Sequence, residues 1–386
     1  MKIAHIITRL ELGGAQRNTL YTVSHLNPER FSCLLISGEG GMLDDEAREL
    51  GTKNRAGIYF IPDLIRETLP LSDLRALWGI IRVLRRERPD VVHTHSSKAG
   101  ILGRLAAWLC GVPVIVHTYH GFGFHPRQSP LARHFFVFLE RFCARRTHAL
   151  VFVSKSNRDE AAALGIGDPR RYHLIRSGIK LSDYPAAVPD RGRAKTAFGA
   201  GFHKNVVVSI GNFKPQKNAM DFVSAAEMVL AENSEIEFLY VGDGAMRAAV
   251  EARIFARGLS FRVKLLGWRK DVAQILAVSD IFVLTSLWEG LPRALLEAMA
   301  SGLVPVCYAA DGISEMVQDG INGFLIAPGD TAALAKRVIQ LVSDEPLRRR
   351  LGLKARESVT QEFDIDVMVR LQEQLYQDLF SKPSAT

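Results

Sequence analysis

Short β-branched apolar runs alternate with longer segments of helical spacing along the 386-residue chain, and the series runs twice. Strands are expected at 2–7, 31–37, 57–61, 90–94, 113–118 and 149–153, and again at 205–210, 236–241, 262–266, 280–284 and 304–307. Between them, 15–26, 71–88, 98–110, 218–231, 244–258 and 291–301 carry apolar residues at helical intervals. Alternation of this kind implies α/β domains, each a doubly wound parallel sheet with helices on both faces. Turn formers from Asp183-Tyr184-Pro185 to Pro189-Asp190-Arg191-Gly192 break the series, placing a boundary near 185–200. The expected division is therefore 1–185, 200–362 and a helical tail over 363–386, and the length suits two such domains.

Composition excludes several classes. With 47% hydrophobic and 23% charged residues the chain is neither disordered nor low in complexity. Its four cysteines form no CxxC pair, so neither a disulfide framework nor a zinc site is suggested, and a reducing cytosol fits best. The apolar run after Met1 is too short for a signal-peptide core. Glycines, prolines and histidines interrupt the longest charge-free stretch, 105–126, which argues against a spanning helix. The net charge is +8, and all of that excess lies before residue 191. No zinc finger, recognition helix or aromatic RNA-binding signature accompanies it, so nucleic acid is not an expected partner.

Chemistry should sit on the loops at the carboxyl ends of strands, and a cleft between two such domains would suit a two-substrate reaction. After the first strand, Gly13 and Gly14 let backbone approach a ligand before a helix N-terminus, although a tight turn alone explains them equally well. After strand 113–118, the turn His117-Thr118-Tyr119-His120-Gly121 places His120 to donate to a sugar hydroxyl, a phosphate oxygen or a developing charge. His93 and His95 end strand 90–94 before Lys98, and line an acceptor pocket or merely lead into the next helix. In the second half, Asn212 and Lys217 follow strand 205–210, where a lysine supplies a point charge for phosphate. Glu289, Gly290 and Leu291 precede a helix that should carry Glu297 about two turns in, a carboxylate able to hold a vicinal diol. An N-terminal glutamate favoured by the helix dipole plus an unrelated surface one is the plainer alternative. Glu297 sits among Ala294, Leu295, Leu296, Ala298 and Met299, where an unpaired carboxylate is costly.

Taken together, EGLPRALLEAMASGLVPV with Glu289 and Glu297, HTHSSKAGILGRLAA and VHTYHGFGFHP resemble the retaining family-4 glycosyltransferases with the GT-B fold, in particular the subgroup that builds bacterial cell-surface polysaccharides. The resemblance covers nearly the whole chain and implies two Rossmann-like domains, the first binding acceptor and the second the nucleotide sugar. It implies that Glu297 holds the ribose and that Glu289, with the amides of Gly290 and Leu291, holds the donor sugar. Lys217 would bind the diphosphate, Gly14 would approach donor and acceptor, and His120 would face the sugar. Where many members have an arginine, this chain has Asn212, so Lys214 or Arg293 would have to supply the second cation. The sole Asp-x-Asp, Asp364-Ile365-Asp366, is expected to cap the tail helix, and no metal or other cofactor is expected.

The resulting expectation is a metal-independent transferase, retaining in stereochemistry, moving a sugar from a nucleoside diphosphate sugar, a UDP-sugar by expectation, to a lipid-linked saccharide. A transferase to a small soluble acceptor, a nucleotide-sugar epimerase and a non-catalytic sugar-binding protein are the alternatives. Helix 130–146 interleaves Phe135, Phe136, Phe138, Leu139 and Phe142 with Arg133, Arg141, Arg145 and Arg146. That pattern fits peripheral contact with anionic lipid at the inner face of the cytoplasmic membrane, or a core-facing aromatic stripe with a solvated arginine rim.

Overall fold

The structure, a computed structural model, describes residues 1–54, 56–124, 128–184, 196 and 205–381. The expected boundary at 185–200, Thr196 apart, and His125 and Pro126 of the glycine-rich turn lie outside the described residues. In chain order the elements are β1 (Lys2–Arg9), α1 (Gly14–His25), β2 (Ser32–Gly38), α2 (Asp44–Asn54), β3 (Gly57–Phe60), α3 (Pro70–Glu87), β4 (Val91–His95), α4 (Ser97–Leu109), β5 (Val114–Tyr119), α5 (Pro130–Ala144), β6 (Ala149–Phe152), α6 (Lys155–Ala163) and β7 (Tyr172–Leu174). They continue as β8 (Val206–Ile210), α7 (Ala219–Glu232), β9 (Glu237–Val241), α8 (Arg247–Ala256), β10 (Val263–Leu265), α9 (Val272–Val278), β11 (Ile281–Leu284), α10 (Arg293–Ala300), β12 (Val304–Tyr308), α11 (Ile313–Met316), β13 (Phe324–Ile326), α12 (Thr331–Ser343), α13 (Glu345–Glu357) and α14 (Ile365–Ser381).

Two compact units result: Met1–Gly178 with the chain from Asp364 onward, and Ile179–Phe363. The first holds a seven-stranded sheet, β3-β2-β1-β4-β5-β6-β7, and every pairing is parallel. Its central strands are buried on both faces, which is why they read as nearly unbroken apolar runs. On one face Ala4, Ile6, Leu34, Ile36 and Val92 pack against Ile80 and Leu84 of α3 and Ala99 and Ala106 of α4. On the other, Ile3, Val91, Val116 and Val151 meet Ile365, Met368, Val369, Leu375 and Tyr376, so α14 belongs to this unit's core. Gly178 allows that return: a Cβ there would collide with the Ile365 backbone. At the start of α14 the Asp364 carboxylate accepts the Asp366 N–H at 2.9 Å.

The second unit is a six-stranded parallel sheet, β10-β9-β8-β11-β12-β13. Phe222, Val223 and Ala226 of α7 and Leu334 and Val338 of α12 share one core with Val207, Phe238, Tyr240 and Val306. Helix starts are marked by side chains that accept orphan amides, as Asp330 does from Ala333 at 2.9 Å and Asp344 from Leu347 at 2.9 Å. Each sheet reverses its winding once, between β1 and β4 and between β8 and β11. At such a switch point the adjacent loops part and leave a crevice at the strand carboxyl ends. No helix among the described residues is long and apolar enough to cross a membrane.

Candidate functional site

In the second unit the loops after β8 and β11 meet at the switch point. The Leu287 N–H donates to the Gln216 carbonyl at 2.8 Å, and Gln216 Nε2 returns a bond to the Trp288 carbonyl at 2.8 Å. Thr285 Oγ1 donates to the carbonyls of Lys217 and Asn218, both at 3.0 Å. Asn218 takes the left-handed conformation, φ 47°, that turns the chain into α7. Gly242 is needed beside this loop, because a Cβ there would strike the Gly211 carbonyl. These bonds carry Lys217 and Glu289 to one spot, where the Lys217 ammonium and the Glu289 carboxylate form an ion pair with both side chains largely buried. The Glu289 N–H donates to Asp311 Oδ2 at 2.9 Å. Burial raises the Asp311 carboxyl above its ordinary range, the Glu289 N–H opposes that rise, and the Glu289 charge adds to it.

Gly290 and Leu291 lead into α10, whose fifth residue is Glu297. That carboxylate accepts Arg293 Nη2 at 3.1 Å and a hydrogen bond from the Tyr184 hydroxyl. Burial and the nearby Glu297 charge push the Tyr184 phenol up, so it stays a donor. Two carboxylates, each bonded to a cation, therefore follow β11, Glu289 in the loop at its carboxyl end and Glu297 on the next helix.

The first unit's crevice is chemically different. His5, His93, His95, Thr118 and His120 point to the sheet face beneath α1 and α14. His93 Nδ1 bonds the Tyr376 hydroxyl at 2.6 Å, and its Nε2 bonds Thr118 Oγ1 at 2.6 Å. His95 lies between His5 Nδ1, at 3.1 Å from its Nε2, and His120 Nε2, at 3.2 Å from its Nδ1. Burial lowers His5 to about 3 and His120 to about 4. It lowers His93 and His95 well below the ordinary value too, with their neighbours' charges adding to the effect. All four are neutral at pH 7. A water-sized cavity opens here, lined by Asn18, Thr19, His95, Thr118, His120 and Gln372 among others.

Comparison with known proteins agrees with this architecture. Residues 13–178 match the family model of the glycosyl transferase 4-like domain, and 192–358 match that of glycosyl transferases group 1. An Escherichia coli UDP-Gal:alpha-D-GlcNAc-diphosphoundecaprenol alpha-1,3-galactosyltransferase is 33% identical over 98% of this chain and 97% of its own. The chain belongs to the family-4 and group 1 glycosyltransferases. A Bacillus anthracis N-acetyl-alpha-D-glucosaminyl L-malate synthase is 30% identical over 80% of each chain. Anabaena HepE, solved with UDP and glucose, superposes with a TM-score of 0.83 at 20% identity, covering 98% of this chain and 100% of that one. The glycosyltransferase thus has the GT-B fold.

The expected depth of Glu297 in the glycosyltransferase's helix needs correction. Glu297 is only a little over one turn into its helix, because Pro292 delays the start of α10 to Arg293. His93 is fully buried and both its ring nitrogens are engaged. His95, also buried, spends both nitrogens on other histidines. Lys98 is tied to Asp73 and the Glu67 carbonyl with little side-chain exposure, so its charge is already matched. Gly13 is extended at φ −143° and caps α1, and Gly14 is the helix's first residue. Asn212 is half-buried in the β8–α7 loop, and Arg293 is committed to Glu297.

The aromatic stripe of α5 divides: Phe136 packs against the core, and Leu139 and Phe142 are half-buried, while Phe135 and Phe138 are exposed. Leu131, Phe135 and Phe138, spaced along one helix face, are 57–85% exposed, while Val137 packs inward. Of the arginines, Arg145 is exposed, Arg141 donates to the Leu164 carbonyl, Arg146 lies over Trp108 and Phe142, and Arg133 lies 6.0 Å from the Phe124 ring centre. Three residues went unnoticed in the sequence: His5, Asp311 and Tyr184. His5 carried a signal, being the polar residue between Ile3 and Ile7 in an otherwise apolar stretch of the strand.

Proposed function

We propose that this glycosyltransferase moves a hexose from a UDP-sugar to a lipid-linked saccharide in cell-surface polysaccharide or glycolipid assembly, with retention and without a metal ion. The observation that carries the reading is the Lys217–Glu289 pair held at the switch point of the second unit, with Glu297 on the adjoining helix. Cleavage of the glycosyl bond concentrates negative charge on the departing diphosphate, and Lys217 with the amides at the start of α10 meets it at a fixed position. In this account Glu289 takes the donor sugar's hydroxyls, and Glu297 exchanges its Tyr184 bond for the ribose diol. His120, at the first unit's own crevice, donates to a sugar hydroxyl. The leaving phosphate helps to deprotonate the acceptor hydroxyl. UDP and the lipid-linked acceptor are suggested by the ligand solved with HepE and the substrate that names the E. coli relative.

The acceptor's lipid gives the exposed α5 face a purpose. Its apolar residues enter the headgroup boundary while Arg141 and Arg145 meet anionic lipid, and Leu71, Leu74 and Trp78 of α3 are exposed as well. Flotation should depend on anionic lipid and weaken with salt; binding indifferent to both removes this surface from the account.

The deciding experiment incubates the protein with UDP-glucose, UDP-galactose or their N-acetyl forms and a GlcNAc-diphospholipid. UDP release is measured with and without EDTA, and the anomer of the product is read by NMR. An axial product formed in EDTA is expected. An equatorial product refutes retention, loss of turnover in EDTA refutes metal independence, and UDP release only with a soluble acceptor refutes the lipid assignment.

A further inference from the structure

The line His5–His95–His120 ends in two buried ring nitrogens, His5 Nε2 and His120 Nδ1, that have no hydrogen-bond partner among the described residues. A neutral imidazole has one N–H and one lone pair, so two consecutive His–His bonds lock the three rings into one of two concerted states. In one, His5 Nδ1–H donates to His95 Nε2 and His95 Nδ1–H donates to His120 Nε2, which leaves N–H on His120 Nδ1. In the other every bond is reversed, and the unpaired N–H falls on His5 Nε2. His5 is fully buried between Ile3 and Ile7, away from the cavity lining, whereas His120 forms part of the cavity wall. An orphaned buried N–H is rarer than an orphaned lone pair. The first state places the lone pair at the sealed end and the N–H on the residue that lines the cavity.

We propose that His95, itself set by His5, is a positioning residue that fixes His120 as the Nδ1–H tautomer, a neutral donor aimed at a substrate hydroxyl or ring oxygen. The inference deepens the reading of His120 as the residue facing the sugar and rests on it. Because the rings are neutral, the donor is supplied by proton placement rather than by charge. Another use of the cluster is testable alongside: ring nitrogens of His5, His93 and His95 lie within 4.8 Å of one another, a spacing that a metal ion can bridge.

The experiment is 15N–1H correlation NMR of the full chain labelled at histidine, assigned with His120→Gln, together with elemental analysis of the same sample. The relay predicts a protonated Nδ1 and a bare Nε2 on His120. It also predicts that His95→Asn, whose amide can replace Nδ1, keeps this state, while His95→Gln, whose amide replaces Nε2, loses it. UDP release should then fall roughly tenfold in kcat in His95→Gln, less in His95→Asn, with KM for the UDP-sugar little changed. A protonated Nε2 on His120 in the wild type, or stoichiometric metal bound by the cluster, overturns the proposal whether or not the variants fold. If the tautomer behaves as predicted and kcat does not move, the relay stands, and the placement of His120 at the sugar is what fails.

Discussion

The two units share a winding plan but build their strand-end crevices from opposite materials. The second collects charge: Lys217 with Glu289, Arg293 with Glu297, and Asp311 behind them. The first collects neutral imidazoles whose bonds run to one another, to Thr118 and to Tyr376. A fully buried ion pair of that unit, Arg104–Glu140 at 2.7 Å, joins α4 to α5, and neither residue lines the cavity. A charged crevice suits a leaving group that gains charge. A neutral one suits hydroxyls, which need donors and acceptors in fixed senses but would not reward a full charge for the cost of burying it. The same fold has thus been specialised by the residues at its strand ends, and the contrast can be broken from either side.

The largest effect is expected from Lys217. Replacing it by Met keeps the stem and removes the charge, and kcat for UDP release should fall by about 10² to 10³, as when one fixed donor is lost from a charge-stabilising site. The melting temperature checks that the fold persists. Near-normal turnover would mean that the second crevice does not hold the diphosphate, and the contrast between the units would lose its chemical meaning.

The next effect belongs to the neutral crevice. His5 titrates near 3 in the folded chain against an ordinary 6.5, with His93, His95 and Tyr376 facing it. Between those values the unfolded chain binds a proton that the native one refuses. The stabilisation is therefore intact above about pH 6.5 and is lost as the pH falls toward 3. His5→Phe should flatten the fall in unfolding free energy below pH 6.5, by an amount that approaches about 1.4 kcal/mol per pH unit near pH 5, where the unfolded chain holds nearly one extra proton. Denaturant titrations at several pH values measure it. An unchanged slope would show that His5 is charged or exposed in the native state.

How much of this contrast was legible beforehand follows from what each crevice is made of. The central strands were visible because burial on both faces leaves long apolar runs. β7 and β13, three residues each at the sheet edges, are too short to show a pattern. The second crevice could be read because Lys217 and Glu289 lie in loops, where neither has a packing reason to recur, and Glu297 stands out as a carboxylate among apolar helix residues. In the first, His93 and His95 were expected to end strand 90–94, and both do lie in β4, but on the face shared with Val91 and covered by α14. His5 faces them because β1 pairs with β4, with His5 opposite His93. That pairing crosses the switch point, and a local pattern cannot encode it. Asp311 reaches the Glu289 amide across 22 residues, and Tyr184 reaches Glu297 across a still longer stretch, beyond any local pattern.

The smallest and sharpest effect concerns Glu297. Its carboxylate is occupied by Arg293 and Tyr184, so a ribose diol would have to displace the phenol while Arg293 stays to hold the charge. Glu297→Gln retains one acceptor oxygen and loses the charge that strengthens both diol bonds. The expected result is a roughly fivefold to tenfold rise in KM for the UDP-sugar, about 1–1.4 kcal/mol, with kcat nearly unchanged because the ribose is remote from the breaking bond. Tyr184→Phe removes only the competing bond, so it should leave KM the same or lower it. These opposite signs separate a ribose contact from mere support of α10, since loss of support would raise KM in both variants. A higher KM in Tyr184→Phe would make the tyrosine a strut for α10, and the carboxylate would then serve the charged crevice only as a counter-ion for Arg293.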